Sequence, residues 1–318
     1  MTPEKRDIVT PDRLIWCDGV LVPWADATVH VLAHSHARGA LVFDYLSVHE
    51  TSEGLAIFRL DDHVARFRTS AELVGLPLDL DAKTLRGACL EAVRANPGCS
   101  VVKINCFIPS VEIDVVPADE RVSVAVAAFD PQADVLAHKP GGPVSYPAAV
   151  RIWLEKERRQ RRPDIMHPHA KVSANYTSPM VAKWNARRRG YDEVLLVDEE
   201  GYLAEGPTTN FFLVDDDEVL RTPPEDSVLL GITRRSILEI AKHDGRPVVE
   251  EPLRPEVLFE AAEAFLTGTS AGVWPIASVD DRPIGEPPGP VSRALAKRFR
   301  QVTGGGDPAF AHWLTHVT

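Results

Sequence analysis

Residues 130–146, DPQADVLAHKPGGPVSY, break the chain's pattern more sharply than any other stretch. Two prolines flank a Gly-Gly pair inside polar surroundings, and such a run continues neither a helix nor a strand. It predicts a division into a first domain over 1–130, a linker over 131–146 and a second domain over 147–318. A chain of 318 residues is too long for one small core and suits two domains.

The first unit mixes strands and helices from about residue 14 to 130. LAIFRL (55–60) reads as a strand. DDHVARFRTSAELVGL (61–76) reads as a helix with Asp61 or Asp62 as its N-cap, and Val64, Phe67, Ala71 and Val74 share one face. SVVKINCFI (100–108) and RVSVAVAAF (121–129) are β-branched runs, so strands. Alternation puts Val102, Ile104, Cys106 and Ile108 on one apolar face, and Lys103 with Asn105 on the other. The second unit opens with a strand, AAVRIWLE (148–155). A helix follows in PMVAKWNARRR, stopped by Gly190. DEVLLVDEEGYLAEGPTTNFFLVDDDEVLRTPP then reads as a meander of antiparallel strands. A helix in ITRRSILEIAKHDG, a strand in EAFLTG, a turn-rich piece TSAGVWPIASVDDRPIG and a helix in PVSRALAKRFRQV complete the unit. Without a regular βαβ rhythm, the pattern predicts an α+β fold.

Charge and composition narrow the function. A net charge of −11 opposes a nucleic-acid partner. No apolar run approaches the ~20 residues of a membrane helix. The N-terminus, MTPEKRDIVTPDRL, has no apolar core of a secretory leader, so a cytoplasmic location is expected. Cys17, Cys89, Cys99 and Cys106 form no C-x-x-C pair and read as reduced thiols. His167 and His169 flank a proline, but no third ligand or H-E-x-x-H accompanies them, so no metal is expected. EKERRQRRP (155–163) is the one basic cluster; it reads as a solvated segment or as a cation source beside an anionic ligand.

Several features could carry chemistry. Lys171 stands alone in HPHAKVSANYTSPM (167–180) and by itself reads as a solvated charge. LLGITRRSILEIA (229–241) sets glycine and threonine before a helix, where backbone N–H groups of Ile232 and Thr233 and the dipole favour an anion. TGTSAG (267–272) reads as an anion nest or an ordinary turn. Arg66 or Arg68 could add a cation. Glu205 ends a strand before a Gly-Pro turn, exposed or held rigidly by the sheet.

In this order the fragments resemble the class IV, fold-type IV aminotransferases that use pyridoxal phosphate, with the branched-chain amino-acid aminotransferases as the nearest group. The resemblance runs from HVLAHSHARGALVF (30–43) to GPVSRALAKRF (289–299). Its most specific parts are Lys171, Asn175-Tyr176, Gly190-Tyr191, and Glu205-Gly206 through Asn210-Phe211. LLGITRR and TGTSAG are similar to the family's phosphate-holding motifs. HVARFRTSA matches the stretch with an early phosphate-binding arginine, which selects Arg66 over Arg68.

The resemblance implies a small N-terminal α/β domain and a larger C-terminal domain of mixed β-structure and helices. It implies that Lys171 is the catalytic lysine bonded to pyridoxal 5'-phosphate. Glu205 would face the pyridine nitrogen, and Tyr176 the phenolic oxygen. Arg66, Ile232, Thr233 and Thr269 would hold the phosphate. Arg38, Phe43, Tyr45, Lys103 and Ser270 occupy the family's substrate-side positions. The implied reaction moves an amino group from a hydrophobic L-amino acid to a keto acid such as 2-oxoglutarate, in a homodimer with loops near 30–40 and 110–116 completing the partner's cleft. The family's Phe-Glu-Gly-x-Arg becomes Phe43-Asp44-Tyr45-Leu46-Ser47, which fills pocket space and removes a cation. Transamination of D-amino acids or R-amines, aminodeoxychorismate lyase chemistry, and a binding protein on the same fold are the competing readings.

Overall fold

The computed structural model describes residues 11–139, 147–160 and 162–318. It contains a small N-terminal α/β unit and a larger C-terminal unit of mixed sheet and helices. The first compact unit runs to residue 146 and takes back Thr315–Thr318, and the second is Pro147–Leu314. Of the expected linker, residues 131–138 form a π turn followed by a 3-10 turn, and 140–146 lie outside the described residues.

In the first unit, chain order is β1 (Leu14–Cys17), β2 (Val20–Pro23), α1 (His34–Arg38), β3 (Val42–Thr51), β4 (Gly54–Phe58), α2 (Leu60–Leu73), α3 (Ala82–Ala95), β5 (Val101–Phe107) and β6 (Ser123–Phe129). The strands order as β4-β3-β5-β6-β1-β2 with antiparallel neighbours. Period two governs β3 and β5. Val42, Asp44, Leu46, Val102, Ile104 and Cys106 are buried, while Phe43, Tyr45, Lys103 and Asn105 are half-buried on the other face. The register sets Tyr45 opposite Lys103 and Phe43 opposite Asn105. Helix α2 buries Val64, Phe67 and Ala71, as its spacing predicts, but it ends at Leu73, and Val74, expected on the same face, is its half-buried C-cap. Its start differs from expectation. Arg59, at φ 48°, is the N-cap, and Asp61 and Asp62 sit in the first turn. The chain leaves β4 so tightly that the helix begins at buried Leu60. The two carboxylates then act on the positive end of the dipole rather than as caps.

In the second unit the order is β7 (Val150–Glu155), α4 (Thr177–Arg188), β8 (Glu193–Leu196), β9 (Asn210–Val214), β10 (Leu220–Thr222), α5 (Ile232–His243), β11 (Val248–Glu250), β12 (Glu263–Gly268), β13 (Gly272–Val279), β14 (Arg282–Pro283) and α6 (Pro290–Thr303). The sheet runs β11-β10-β9-β12-β13-β7-β8, with β14 on β13. Strand β15 (Leu314–His316) extends the first sheet beside β4.

Two expectations change here. The 193–222 region is not a purely antiparallel meander: β8 runs parallel to β7 and β10 parallel to β11. Helix α4 lies between β7 and β8 in the chain and provides the crossover a parallel pair requires. The piece read as turns contains the eight-residue strand β13, seated between β12 and β7. Its glycine and proline lie in the part that pairs with β12 alone, and β7 pairing begins only at Ile276, so the proline sits where the strand has an open edge. Strand β9 runs through the core, with all five of its residues buried. Phe212 stacks on Phe265 with ring centroids 5.2 Å apart. Burying each ring contributes about 2–3 kcal/mol.

Candidate active site

Lys171 is half-buried rather than a solvated charge. Its Nζ donates to the Tyr176 hydroxyl at 2.9 Å and lies 5.4 Å from the centre of that ring. Local structure makes this pair. Ala170 and Val172 are buried on either side of the lysine, and Ser173–Tyr176 coil into a 3-10 turn that leads directly into α4. The Asn175 side-chain amide donates to Ala170 O at 2.9 Å, tying the turn back across Lys171. The amine is therefore carried by a closed loop whose ends are anchored in packed structure.

A second cluster surrounds Glu205, which is 7% exposed. Its Oε1 accepts from Gln160 Nε2 at 2.6 Å. Its Oε2 accepts from Asn210 Nδ2 at 3.1 Å and from the Leu229 amide at 3.2 Å. Asn210 Nδ2 also donates to Leu229 O at 2.9 Å. Three donors from three segments thus fix both oxygens of one carboxylate, and charge-assisted hydrogen bonds of this kind hold it in place. Asn210 stands within the motif that drew attention to Glu205. Gln160 left no such signal, because it lies inside the basic cluster.

Helix α5 starts beside this cluster. Its N-cap is Gly231, and no side chain caps the first turn. The amides of Ile232 and Thr233 have no intrahelical acceptor and meet the positive end of the dipole. The close approach requires glycine: a Cβ on Gly231 would collide with Asn210 Oδ1. The end of β12 joins the same region. Thr267 pairs with Asn210, and a Cβ on Gly268 would stand 3.2 Å from Thr208 O. Thr209 Oγ1 and Thr267 Oγ1 are buried with no hydrogen-bond partner among the described residues. Thr269 beyond them is half-buried and Ser270 exposed. The structure thus gathers Glu205, Ile232, Thr233 and the β12 end, and separately pairs Lys171 with Tyr176.

The remaining predicted residues belong to the first unit. Arg66 is half-buried, whereas Arg68 is exposed. Arg66 Nε and Nη2 donate to Asp44 at 2.9 and 2.7 Å, and His63 Nδ1 lies 2.6 Å from the same carboxylate. Asp44 is fully buried. Burial alone would raise its pKa, but Arg66 and His63 outweigh that cost and hold the carboxyl well below the usual range. Sequence reasoning noted Asp44 only as a departure from the family pattern and missed this role. Phe43, Tyr45 and Lys103 share the half-buried face of β3 and β5, with Lys103 Nζ 5.3 Å from the centre of the Phe43 ring. Arg38 is exposed, and its Nη2 donates to Ile113 O at 2.8 Å. The His167 and His169 rings meet edge to face, with centroids 4.7 Å apart. Among the described residues no three His, Cys, Asp or Glu side chains gather as a metal site, and no helix is long and apolar enough to cross a membrane.

Comparison with known proteins adds an independent finding. The family model "Amino-transferase class IV" matches residues 41–279. A branched-chain-amino-acid aminotransferase of Pseudomonas aeruginosa is 34% identical over 308 residues, covering 96% of this chain and 98% of that protein. The crystal structure of the branched-chain aminotransferase from Thermoproteus uzoniensis with norvaline is 32% identical, with a TM-score of 0.86 over 96% of this chain and 99% of that one. The branched-chain amino acid aminotransferase from Thermobaculum terrenum, solved in its PLP-bound holo form, is 28% identical, also with a TM-score of 0.86, over 98% and 100%. Matched in sequence and in fold over nearly its whole length, the chain belongs to the class IV aminotransferase family.

Proposed function

We infer that the chain is a pyridoxal 5'-phosphate-dependent aminotransferase. It moves the amino group of a branched-chain or other hydrophobic L-amino acid to a keto acid such as 2-oxoglutarate. The residues present fit the cofactor. An amine on a closed loop suits its aldehyde, and a rigid carboxylate suits a pyridinium. An uncapped helix start beside two unpartnered buried hydroxyls suits a phosphate. Bound pyridoxal phosphate supplies an electrophilic carbonyl and a ring that takes up electron density from the substrate α-carbon.

In this reading Lys171 Nζ provides the covalent attachment and, when free, moves the proton at the substrate α-carbon. Tyr176 orients that nitrogen through its hydroxyl. Glu205, locked by Gln160, Asn210 and Leu229, holds a proton on the pyridine nitrogen. Ile232 and Thr233 donate their amides to the phosphate, with Thr269 beside them. Arg66 as a further phosphate ligand, and Arg38, Phe43, Tyr45, Lys103 and Ser270 as substrate contacts, rest on the resemblance alone. The single observation that carries the reading is the Lys171–Tyr176 pair within a chain of this family. Lys171→Ala is expected to abolish turnover and the yellow colour of the bound cofactor. Borohydride reduction followed by peptide mapping is expected to label Lys171, and a label elsewhere would refute the assignment.

Tyr45 and Ser47, where the family carries glycine and arginine, keep a D-amino-acid or R-amine substrate as the second reading. A panel of L-amino acids, D-amino acids and R-amines, scored by loss of cofactor colour, separates the two. Turnover that persists without an amino acceptor would indicate a lyase instead. A cytoplasmic location and a homodimer belong to the same proposal. Four free thiols support the first. Exposed Val31, Ile113, Val115 and Val116, on loops joined by the Ala33–Val111 bridge, support the second.

A further inference from the structure

We propose that a cleft on the second unit, apart from the residues assigned above, binds a small polyanion: a phosphorylated or polycarboxylate metabolite. The cleft has a volume of about 630 Å³, and Lys156, Arg159, Arg254 and Arg282 line it. The four come from three separate parts of the chain. Lys156 and Arg159 follow β7 and belong to the basic cluster. Arg254 precedes the 3-10 turn Pro255–Phe259, and Arg282 opens β14.

Carboxylates outnumber cations in this chain, 46 to 35. Yet Arg159, Arg254 and Arg282 have no ion pair among the described residues, and only Lys156 meets one, with Asp280 at 3.3 Å. Two of the guanidinium groups are already positioned. Arg254 lies 3.9 Å from the centre of the Tyr202 ring and donates to Glu200 O at 2.8 Å. Arg282 lies 3.4 Å from the centre of the Phe259 ring. A guanidinium placed over an aromatic face is held there by the ring and can still direct N–H groups to a phosphate or carboxylate. Arg254 Nη1 and Arg159 Nη1 also end beside one glycine, 3.6 and 3.9 Å from where a Cβ on Gly201 would stand. Like charges brought so close repel, and a bound anion offsets that repulsion.

The shape argues for a small ligand, since pockets of ~300–1,000 Å³ are the usual size for one. Glu256 and Glu260 also line the cleft. The four cations outnumber these two carboxylates and the Asp280 that meets Lys156, so the cleft stays net positive, and cations spread around it favour a ligand whose charged groups reach several of them at once over a simple monoanion.

The test is calorimetric titration of the protein saturated with pyridoxal 5'-phosphate, with pyrophosphate and citrate as probes and chloride at matched ionic strength as control. One site per chain is expected for at least one probe, with a Kd near or below ~1 mM. Which probe binds more tightly distinguishes phosphate from carboxylate recognition. Arg159→Gln, a change at an exposed side chain, and Arg282→Gln are each expected to weaken binding about tenfold while leaving transamination unchanged. Two results overturn the proposal: no saturable binding of either probe, or binding that both variants leave intact.

Discussion

Glu205 shows how much a single side chain depends on its neighbours. Three donors hold both carboxylate oxygens. Glu205→Gln replaces one oxygen with an amide that cannot stabilise a protonated pyridine nitrogen. It is expected to lower kcat by about 10²-fold, by analogy with removal of one preorganised electrostatic group, with smaller loss of thermal stability. Steady-state kinetics beside a thermal melt read the two effects separately. Asp44 is the counterpart in the first unit. Removing its charge leaves Arg66 and His63 around a neutral group in a buried place. Asp44→Asn is expected to cost about 3 kcal/mol, measured by denaturant unfolding. A cost near zero would mean the network contributes nothing net.

At the scale of elements, the start of α5 is the most constrained point. Gly231 stands where the helix meets the Asn210 side chain, so Gly231→Ala must displace either the helix or the Asn210–Glu205 contact. A loss of about 1–3 kcal/mol is expected, as for other overpacked sites. A weakened affinity for pyridoxal 5'-phosphate should accompany it, measured by fluorescence titration. An unchanged melt would show that Asn210 moves aside freely. The strand pair β3–β5 follows a simpler rule. Period two alone decides that Val102, Ile104 and Cys106 enter the core while Lys103 does not. Burial accordingly pushes the Cys106 thiol up to about 12, which makes it unreactive at neutral pH.

For the whole molecule, pH and self-association are the accessible tests. Burial depresses the His49 pKa below its ordinary 6.5, so the unfolded chain takes up the proton first. Stability should therefore begin to fall as pH drops through about 6.5, and His49→Gln should remove that component. Asp44 acts in a lower window. Its folded pKa lies below the ordinary 3.8, so its contribution is present above that value and is lost as pH falls further. Melting curves between pH 8 and 3 would resolve the two windows, and a flat profile from pH 7 to 5 would contradict the first. Ile113 is 94% exposed on the apolar loop proposed for self-association. Ile113→Asp is expected to shift the protein toward monomer in size-exclusion chromatography, and an unchanged dimer would move the interface elsewhere.

The sequence by itself determined the positions of many elements and the face that β5 buries. β-branched runs, 3.6-residue spacing and glycine stops act within a few residues, so β5, β6, α2 and α6 are legible without a partner. It also determined the family, through motifs that keep their order along the chain. Only the tertiary structure decided that β7 and β8 are parallel, that VWPIASV is a strand, and that Asp44 lies between His63 and Arg66. It alone joined Gln160 to Glu205, 45 residues away. Those outcomes depend on which distant backbone or side chain supplies the hydrogen bond, and no local pattern specifies a partner that the chain reaches only after it has folded.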